Sequence, residues 1–269
     1  MKVGYLGPAG TFTQQAAKIL FPEGTFIPIG DIDSIFECLS KGAYDAGIAP
    51  IENSTEGPVN ATLDALLREK DLTIATLLVM PVSHILMTRE KGVSIKKILA
   101  HPQALAQCRN YIRRHYPQAE LVPCASNGEA ATKVIDTSAA IGPAAAAKEY
   151  GLYILAEGIQ DSTFNSTAFI QIEKAAEQVP KDNCRASIAF STKNQPGALY
   201  RMLSILEGYG INMTKILSRP LPESPGEYIF FVDIDDYSVN DAKAALKQIQ
   251  NKAAIYKFLG SYPVRRISI

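Results

Sequence analysis

Gly47-Ile48-Ala49-Pro50-Ile51-Glu52-Asn53-Ser54-Thr55-Glu56-Gly57-Pro58-Val59-Asn60 carries the plan of the chain in miniature. A short apolar strand ends at Pro50, acids and hydrogen-bonding side chains crowd into the next six residues, and Pro58 suits the first turn of a following helix. Asn53 both donates and accepts, Ser54 and Thr55 offer hydroxyls, and backbone N–H groups entering a helix favour an anion. The stretch reads either as a capped strand-to-helix turn or as a binding loop, and spacing leaves both open.

The same strand, turn and helix recur outward from it. Val3 to Leu6 is a strand, Gly7-Pro8-Ala9-Gly10 a turn, and Thr11 a cap for a helix through Leu20. Phe26 to Ile29 leads to a helix at Ser34 to Lys41, capped by Asp31 or Asp33. Further strands are predicted at Thr73 to Val79, Val82 to Met87 and Ile95 to Leu99. Pro102 then suits a first helical position flanked by His101 and Gln103, with Gln107 one turn on. A strand at Glu120 to Pro123 precedes a Ser126-x-x-Glu129 capping box, and Ala139 to Ile141 feeds a helix at Ala144 to Tyr150. Such alternation predicts a mostly parallel sheet covered on both faces, with ligands at the carboxyl ends of its strands. Several helix amino termini on one crevice would suit a polyanionic small molecule, although every α/β protein has such turns. The stretch from Leu152 to Ile172 reads as a return crossing that sets Asn165 and Thr167 on the cleft, or as an ordinary turn between strands.

Residues 173–186 are charged and contain a proline, which places a linker there. Beyond it the order of elements is β-α-β-β-α-β, a ferredoxin-like split unit. Two domains fit a length of 269 residues. Lys plus Arg and Asp plus Glu balance at 27 each, so charge calls for neither nucleic acid nor an acidic membrane face, and a small-molecule partner is expected. Cys38, Cys108, Cys124 and Cys184 form no Cys-x-x-Cys pair and have three histidines to help them, which argues for reduced packing residues and against metal. The amino terminus breaks at Gly7-Pro8, and the apolar run from Ile74 to Met87 is broken by Pro81, Ser83 and His84, so a cytoplasmic location is expected.

Five stretches, in order and spread over nearly the whole chain, resemble the monofunctional prephenate dehydratases. They are Gly7-Pro8-Ala9-Gly10-Thr11-Phe12-Thr13, Pro50-Ile51-Glu52-Asn53-Ser54, His101 through Cys108, Asn165-Ser166-Thr167-Ala168-Phe169, and Gly197-Ala198-Leu199 with Ser218-Arg219-Pro220. The resemblance implies a two-lobed catalytic region of the type II periplasmic-binding-protein kind, followed by an ACT domain. It implies residues 1–180 for catalysis, with one lobe at 1–77 and 161–180 and the other at 78–160, and 185–269 for regulation. It implies conversion of prephenate to phenylpyruvate, water and carbon dioxide without cofactor or metal, inhibition by L-phenylalanine at the ACT domain, and a homodimer or homotetramer. Thr167 falls where the family places its leaving-group donor, and Asn53 and Gln107 where neutral hydrogen bonds fix the substrate. Glu52 is assigned to the cleft, either in catalysis or as a loop cap. Thr11 and Gly10, with Ser54, His101, Asn165 and Phe169, make up the expected substrate contacts. Gly197, Ala198, Leu199, Ser218 and Arg219 are the expected effector contacts, the small side chains letting a ligand approach the backbone.

Three departures qualify this. Ala168 stands in place of the family's arginine, whose two charged hydrogen bonds would be worth on the order of 3 to 5 kcal/mol if they hold a carboxylate. Ala100 replaces a serine, and Leu217 replaces a glutamate associated with effector binding. The expectations therefore include reduced activity, a catalytically impaired sensor that binds prephenate or an amino acid, and arogenate as substrate. Arg109, two positions beyond Gln107 on a helix, is not expected to replace the missing guanidinium.

Overall fold

The computed structural model describes residues 1–162, 164–175, 179–221 and 227–267. Three positions of the expected linker, 176–178, lie outside them, as do residue 163 of the first lobe and 268–269 of the regulatory region.

The amino-terminal elements are β1 (Lys2–Leu6), α1 (Phe12–Leu20), β2 (Thr25–Ile29), α2 (Ile32–Ser40), β3 (Ala46–Asn53), β4 (Gly57–Pro58), α3 (Asn60–Arg68) and β5 (Leu72–Pro81). Caps set the helix starts: the Thr11 hydroxyl accepts the Gln14 N–H, and Asp31, the first of the two candidate caps, accepts that of Ser34. Pro58 departs from its expected place. With Gly57 at φ +83°, the chain reverses so that Glu52 faces Pro58 and Asn53 faces Gly57 in an antiparallel pair. The Val59 N–H then bonds the Ile51 carbonyl at 2.8 Å, and the helix opens only at Asn60.

The second lobe contains β6 (Ile85–Thr88), β7 (Lys97–Ala100), α4 (Pro102–Gln107), α5 (Arg109–His115), β8 (Glu120–Pro123), α6 (Asn127–Thr132), β9 (Ser138–Gly142), α7 (Ala144–Tyr150) and β10 (Tyr153–Glu157). The chain returns on β11 (Ser166–Lys174). The first sheet runs β16-β5-β11-β3-β1-β2 with β4 on β3, where β16 is Val264–Arg266, and the second runs β10-β6-β9-β7-β8. The two crossings between lobes lie side by side, since the Val82 N–H donates to the Asn165 carbonyl at 2.9 Å. At the cleft mouth the lobes meet closely. Tyr150 Oη donates to the Ala9 carbonyl at 2.9 Å, and a Cβ on Gly128 would come within 2.6 Å of that same oxygen.

The remaining elements are β12 (Arg185–Ser191), α8 (Ala198–Gly208), β13 (Asn212–Pro220), β14 (Tyr228–Asp235), α9 (Val239–Lys252) and β15 (Tyr256–Tyr262), in the sheet order β13-β14-β12-β15. Alternation along these strands buries Ile188, Phe190, Val232, Ile234 and Phe258 beneath Met202, Leu206, Leu246 and Ile249 of the two helices. Contacts divide the chain into two compact units. One comprises Met1–Thr62, Leu78–Phe169 and the chain end from Arg266; the other comprises Leu63–Leu77 and Ile170–Arg265. Both lobes' cleft-facing elements fall in the first unit, while the carboxyl part of α3 groups with the second.

Candidate active site

Residues more than a hundred positions apart meet where β3 and β11 run side by side in the first sheet. The Asn53 amide donates to Thr167 Oγ1 at 2.8 Å, to Asn165 Oδ1 at 3.1 Å and to the Ser166 carbonyl at 3.3 Å. Its own Oδ1 accepts the backbone N–H groups of Thr55 at 2.9 Å and Glu56 at 3.2 Å. Those backbone groups fix which end of the Asn53 amide is oxygen. Asn165, 5% exposed, must then turn Oδ1 toward Asn53, where the Ser54 and Thr55 hydroxyls also reach it at 3.3 and 3.4 Å. That leaves Asn165 Nδ2 to donate to Gln107 Oε1 at 3.0 Å.

The same Gln107 oxygen lies 3.0 Å from His84 Nε2, which must therefore be the protonated ring nitrogen. Burial lowers the His84 pKa below its ordinary value, against the opposing effect of the hydrogen bond it donates to Gln107, so the imidazole is neutral near pH 7. His84 Nδ1 and Gln107 Nε2 are buried without a partner among the described residues. The Thr167 hydroxyl, already an acceptor for Asn53, has no acceptor of its own among the described residues, and its proton is available to a bound molecule. Every group in the chain from Asn53 to His84 is thus neutral, with donor and acceptor ends assigned.

Other expected contacts lie elsewhere. Phe169 is 2% exposed and packs with Val3, Tyr5, Ala17, Ile48 and Leu78, because two residues along β11 the face that carries Thr167 is already core. The two glycine N–H groups of the turn at Gly7 to Gly10 are claimed within the protein. Gly7 N–H bonds the Ile29 carbonyl at 2.8 Å, and Gly10 N–H bonds Gln14 Oε1 at 2.8 Å. Gly10 has φ +76°, and a Cβ there would lie 2.9 Å from Ala146 Cα, so its place is a packing one. The Thr11 hydroxyl donates within its own turn, to the Pro8 carbonyl at 3.1 Å. His101 caps α4, its Nδ1 accepting the Gln103 N–H at 3.3 Å. Ser54 belongs to the cluster, bonding the Ser166 N–H at 3.0 Å. Glu52 precedes Asn53 on β3, so the pleat directs its side chain to the opposite face. Arg109 is exposed.

Among the expected effector contacts, Ala198 and Leu199 line a cavity of about 160 Å³ with Asn194, Gln195, Tyr228 and Phe230. Gly197 precedes it at φ +72° as the amino-terminal cap residue of α8. Ser218 lies opposite Phe230 on β13 without lining the cavity, and the Arg219 guanidinium is held by the Asp64 carboxylate. Arg219 thus reaches α3 and does not line the cavity. His84 and Gln160, whose Oε1 accepts the His84 N–H at 2.9 Å, escaped the sequence-level reading. The available signal was a histidine interrupting an apolar strand.

Two α/β lobes around a neutral hydrogen-bonding cluster, followed by a βαββαβ unit, define a small-molecule enzyme with an appended ligand-binding module of the ACT type. The model of prephenate dehydratase matches residues 3–177, and that of the ACT domain matches residues 186–251. The chain belongs to the prephenate dehydratase family. The prephenate dehydratase of Lactococcus lactis subsp. lactis (strain IL1403) is 37% identical, over 98% of each chain. The crystal structure of the Arthrobacter aurescens prephenate dehydratase in complex with L-Phe superposes with a TM-score of 0.88 at 32% identity, covering 98% of this chain and 90% of that one. A third relative, the solved structure of GqqA, described as a novel type of quorum quenching acylase, gives a TM-score of 0.89 at 25% identity over 98% of each chain. No described helix is long and apolar enough to cross a membrane, and the described residues contain no group of three or more metal-ligating side chains.

Proposed function

We propose that the cluster around Asn53 and Thr167 is the site at which prephenate becomes phenylpyruvate, and that residues 1–180 carry this reaction and 185–269 its regulation. In the reaction the ring carboxylate leaves as carbon dioxide, its C–C bonding pair enters the ring, and the pair of the C–O bond departs with the hydroxyl. One proton converts that hydroxyl to water. Aromatisation supplies the driving force, so the protein has to orient the substrate and ease the departure of oxygen. Thr167 does the second by donating its hydroxyl proton as a hydrogen bond to the leaving oxygen, and Asn53 holds the threonine oxygen so that this proton points outward. Gln107 supports orientation through its unpaired amide N–H groups. The observation that carries the reading is a hydroxyl fixed as an acceptor from one side with its own proton unclaimed.

The cavity beside Ala198 and Leu199 is proposed to take L-phenylalanine as an inhibitor, and the protein to act in the cytoplasm as a homodimer or homotetramer. Its support is the family's ACT module and the L-Phe named with the Arthrobacter structure. The test is turnover of prephenate by purified protein, with and without L-phenylalanine, with arogenate run alongside. Phenylpyruvate and carbon dioxide in equal amounts, suppressed by phenylalanine, are expected. Tight prephenate binding without product would favour the sensor.

A further inference from the structure

We infer that His84 is a positioning residue for the dehydration, its neutral Nε2–H fixing the Gln107 carbonyl and thereby the direction of the Gln107 amide N–H groups. The order of dependence is set by the backbone. Peptide N–H groups orient Asn53, Asn53 orients Asn165, and Asn165 presents an N–H to Gln107 Oε1. A single hydrogen bond leaves a long glutamine side chain free to swing about it. The second donor, His84 Nε2 at 3.0 Å, converts that pivot into a clamp.

His84 is itself held on three sides. Its N–H donates to Gln160 Oε1 at 2.9 Å, its carbonyl accepts the Ile159 N–H at 3.1 Å, and the Phe12 ring meets its imidazole edge-on with centroids 5.6 Å apart. The ring is 2% exposed. A network serving structure alone would close on itself, with each buried polar atom paired. Among the described residues this one ends in a bare acceptor at His84 Nδ1 and an unclaimed donor at Gln107 Nε2, which leaves the glutamine's N–H groups for a molecule the protein binds. Burial keeps the imidazole neutral, so Nε2 donates without placing a charge beside the site.

His84 acts on catalysis in this way only if the cluster is the dehydratase site proposed above, so wild-type turnover and the variants' ratios are read separately. His84→Gln carries an amide nitrogen near the position of imidazole Nε2, while His84→Met fills the space and donates nothing. His84→Met is expected to lower kcat about tenfold, the loss of one neutral hydrogen bond, and His84→Gln to recover most of it. Combined with Gln107→Ala, His84→Met should cost nothing further, because the histidine works through that amide. Additive losses, or a glutamine variant as slow as the methionine one at equal melting temperature, would overturn the assignment. If the wild-type protein makes no phenylpyruvate, the nitrogen NMR spectrum still decides. Nε2 protonated and Nδ1 bare, with the Gln107 amide signals displaced in His84→Met but not in His84→Gln, supports the clamp; unmoved Gln107 signals refute it.

Discussion

The molecule holds two polar networks built on opposite principles. In the first unit Asn53, Asn165, Gln107, Thr167 and His84 are all neutral, and the network ends in atoms without a partner among the described residues. In the second unit Arg185 forks onto Asp235 at 3.0 and 2.7 Å and lies 3.7 Å from Asp233, while Ser187 sits 2.5 Å from both the Asp233 carboxylate and Tyr262 Oη. Burial raises the Asp233 and Tyr262 pKa values, the nearby aspartate adding to the tyrosine's shift, and the Asp235 hydrogen bonds raise that of Arg185. Among the described residues the buried side-chain nitrogens and oxygens without a partner both belong to the neutral network. A closed, charged network ties β12 to β14 and β15, whereas the neutral one retains hydrogen-bonding capacity that the proposed reading assigns to a substrate.

Removing the Thr167 hydroxyl, proposed above to face the substrate, should separate the networks most sharply. Thr167→Ala is expected to lower kcat about 10²- to 10³-fold, as for loss of one preorganised donor, with KM changed only a few-fold and the melting temperature nearly unchanged. Steady-state kinetics with thermal melts checks this, and a comparable fall in both quantities would make the hydroxyl a structural one. Arg185→Met should do the reverse. Breaking one partner of a largely buried pair costs about 2 to 4 kcal/mol once partial exposure is allowed for, so denaturant midpoints should fall while kcat holds. Asn165→Ala lies between them. Its buried carbonyl serves three donors, so about 1 to 3 kcal/mol of stability and roughly ten- to a hundredfold in kcat should go together.

How much of this was legible in the sequence follows from range. Caps and turns act over three or four residues, so Thr11, Asp31 and Ser126 announced their helices, and the strand at Tyr256–Tyr262 and the helix at Ala144–Tyr150 lie where the pattern put them. The order of the longer elements was equally legible, but not the short strands β4 and β16. Asn53, Gln107, Asn165 and Thr167 were named by resemblance, but nothing local could show that Asn53 and Thr167 bond across 114 positions. Phe169 failed because the motif runs on past the end of the cleft into core, and Gly10 because a turn's N–H groups can be claimed by its own helix. The Arg219–Asp64 pair was equally out of reach, because it spans 155 positions. His84 was invisible as a site residue until Gln107 was set against it.

The second unit also contains a charge whose pH response can sharpen the contrast. Lys257 donates to the Leu66 and Glu69 carbonyls at the end of α3, and burial lowers its pKa to about 8 from 10.5, against the pull of Glu69 and Asp71. The folded state therefore binds fewer protons than the unfolded one between about pH 8 and 10.5. This contribution is present above the unfolded value and lost as pH falls through about 8. Stability should rise with pH in that window, by less than about 1.4 kcal/mol per unit, relative to Lys257→Met. Parallel melting curves of the two proteins from pH 7.5 upward would remove lysine burial from the account.

The smallest effect is expected at Ala168, where the sequence suggested the largest. If an arginine here held a substrate carboxylate, its absence would lower activity by several powers of ten and Ala168→Arg would restore it. The strand says otherwise. Consecutive residues of β11 point to opposite faces, so a side chain at 168 leaves the sheet on the side away from the Thr167 hydroxyl, next along from Ile170, which is fully buried. A guanidinium there can brace the strand, but it reaches the leaving oxygen only by bending round the edge. Ala168→Arg should accordingly change kcat/KM less than tenfold in either direction, and what it changes should appear in the melting temperature first. A gain of a hundredfold or more, with KM falling, would mean that the arginine does reach the substrate, and that the neutral network needs a charge it lacks.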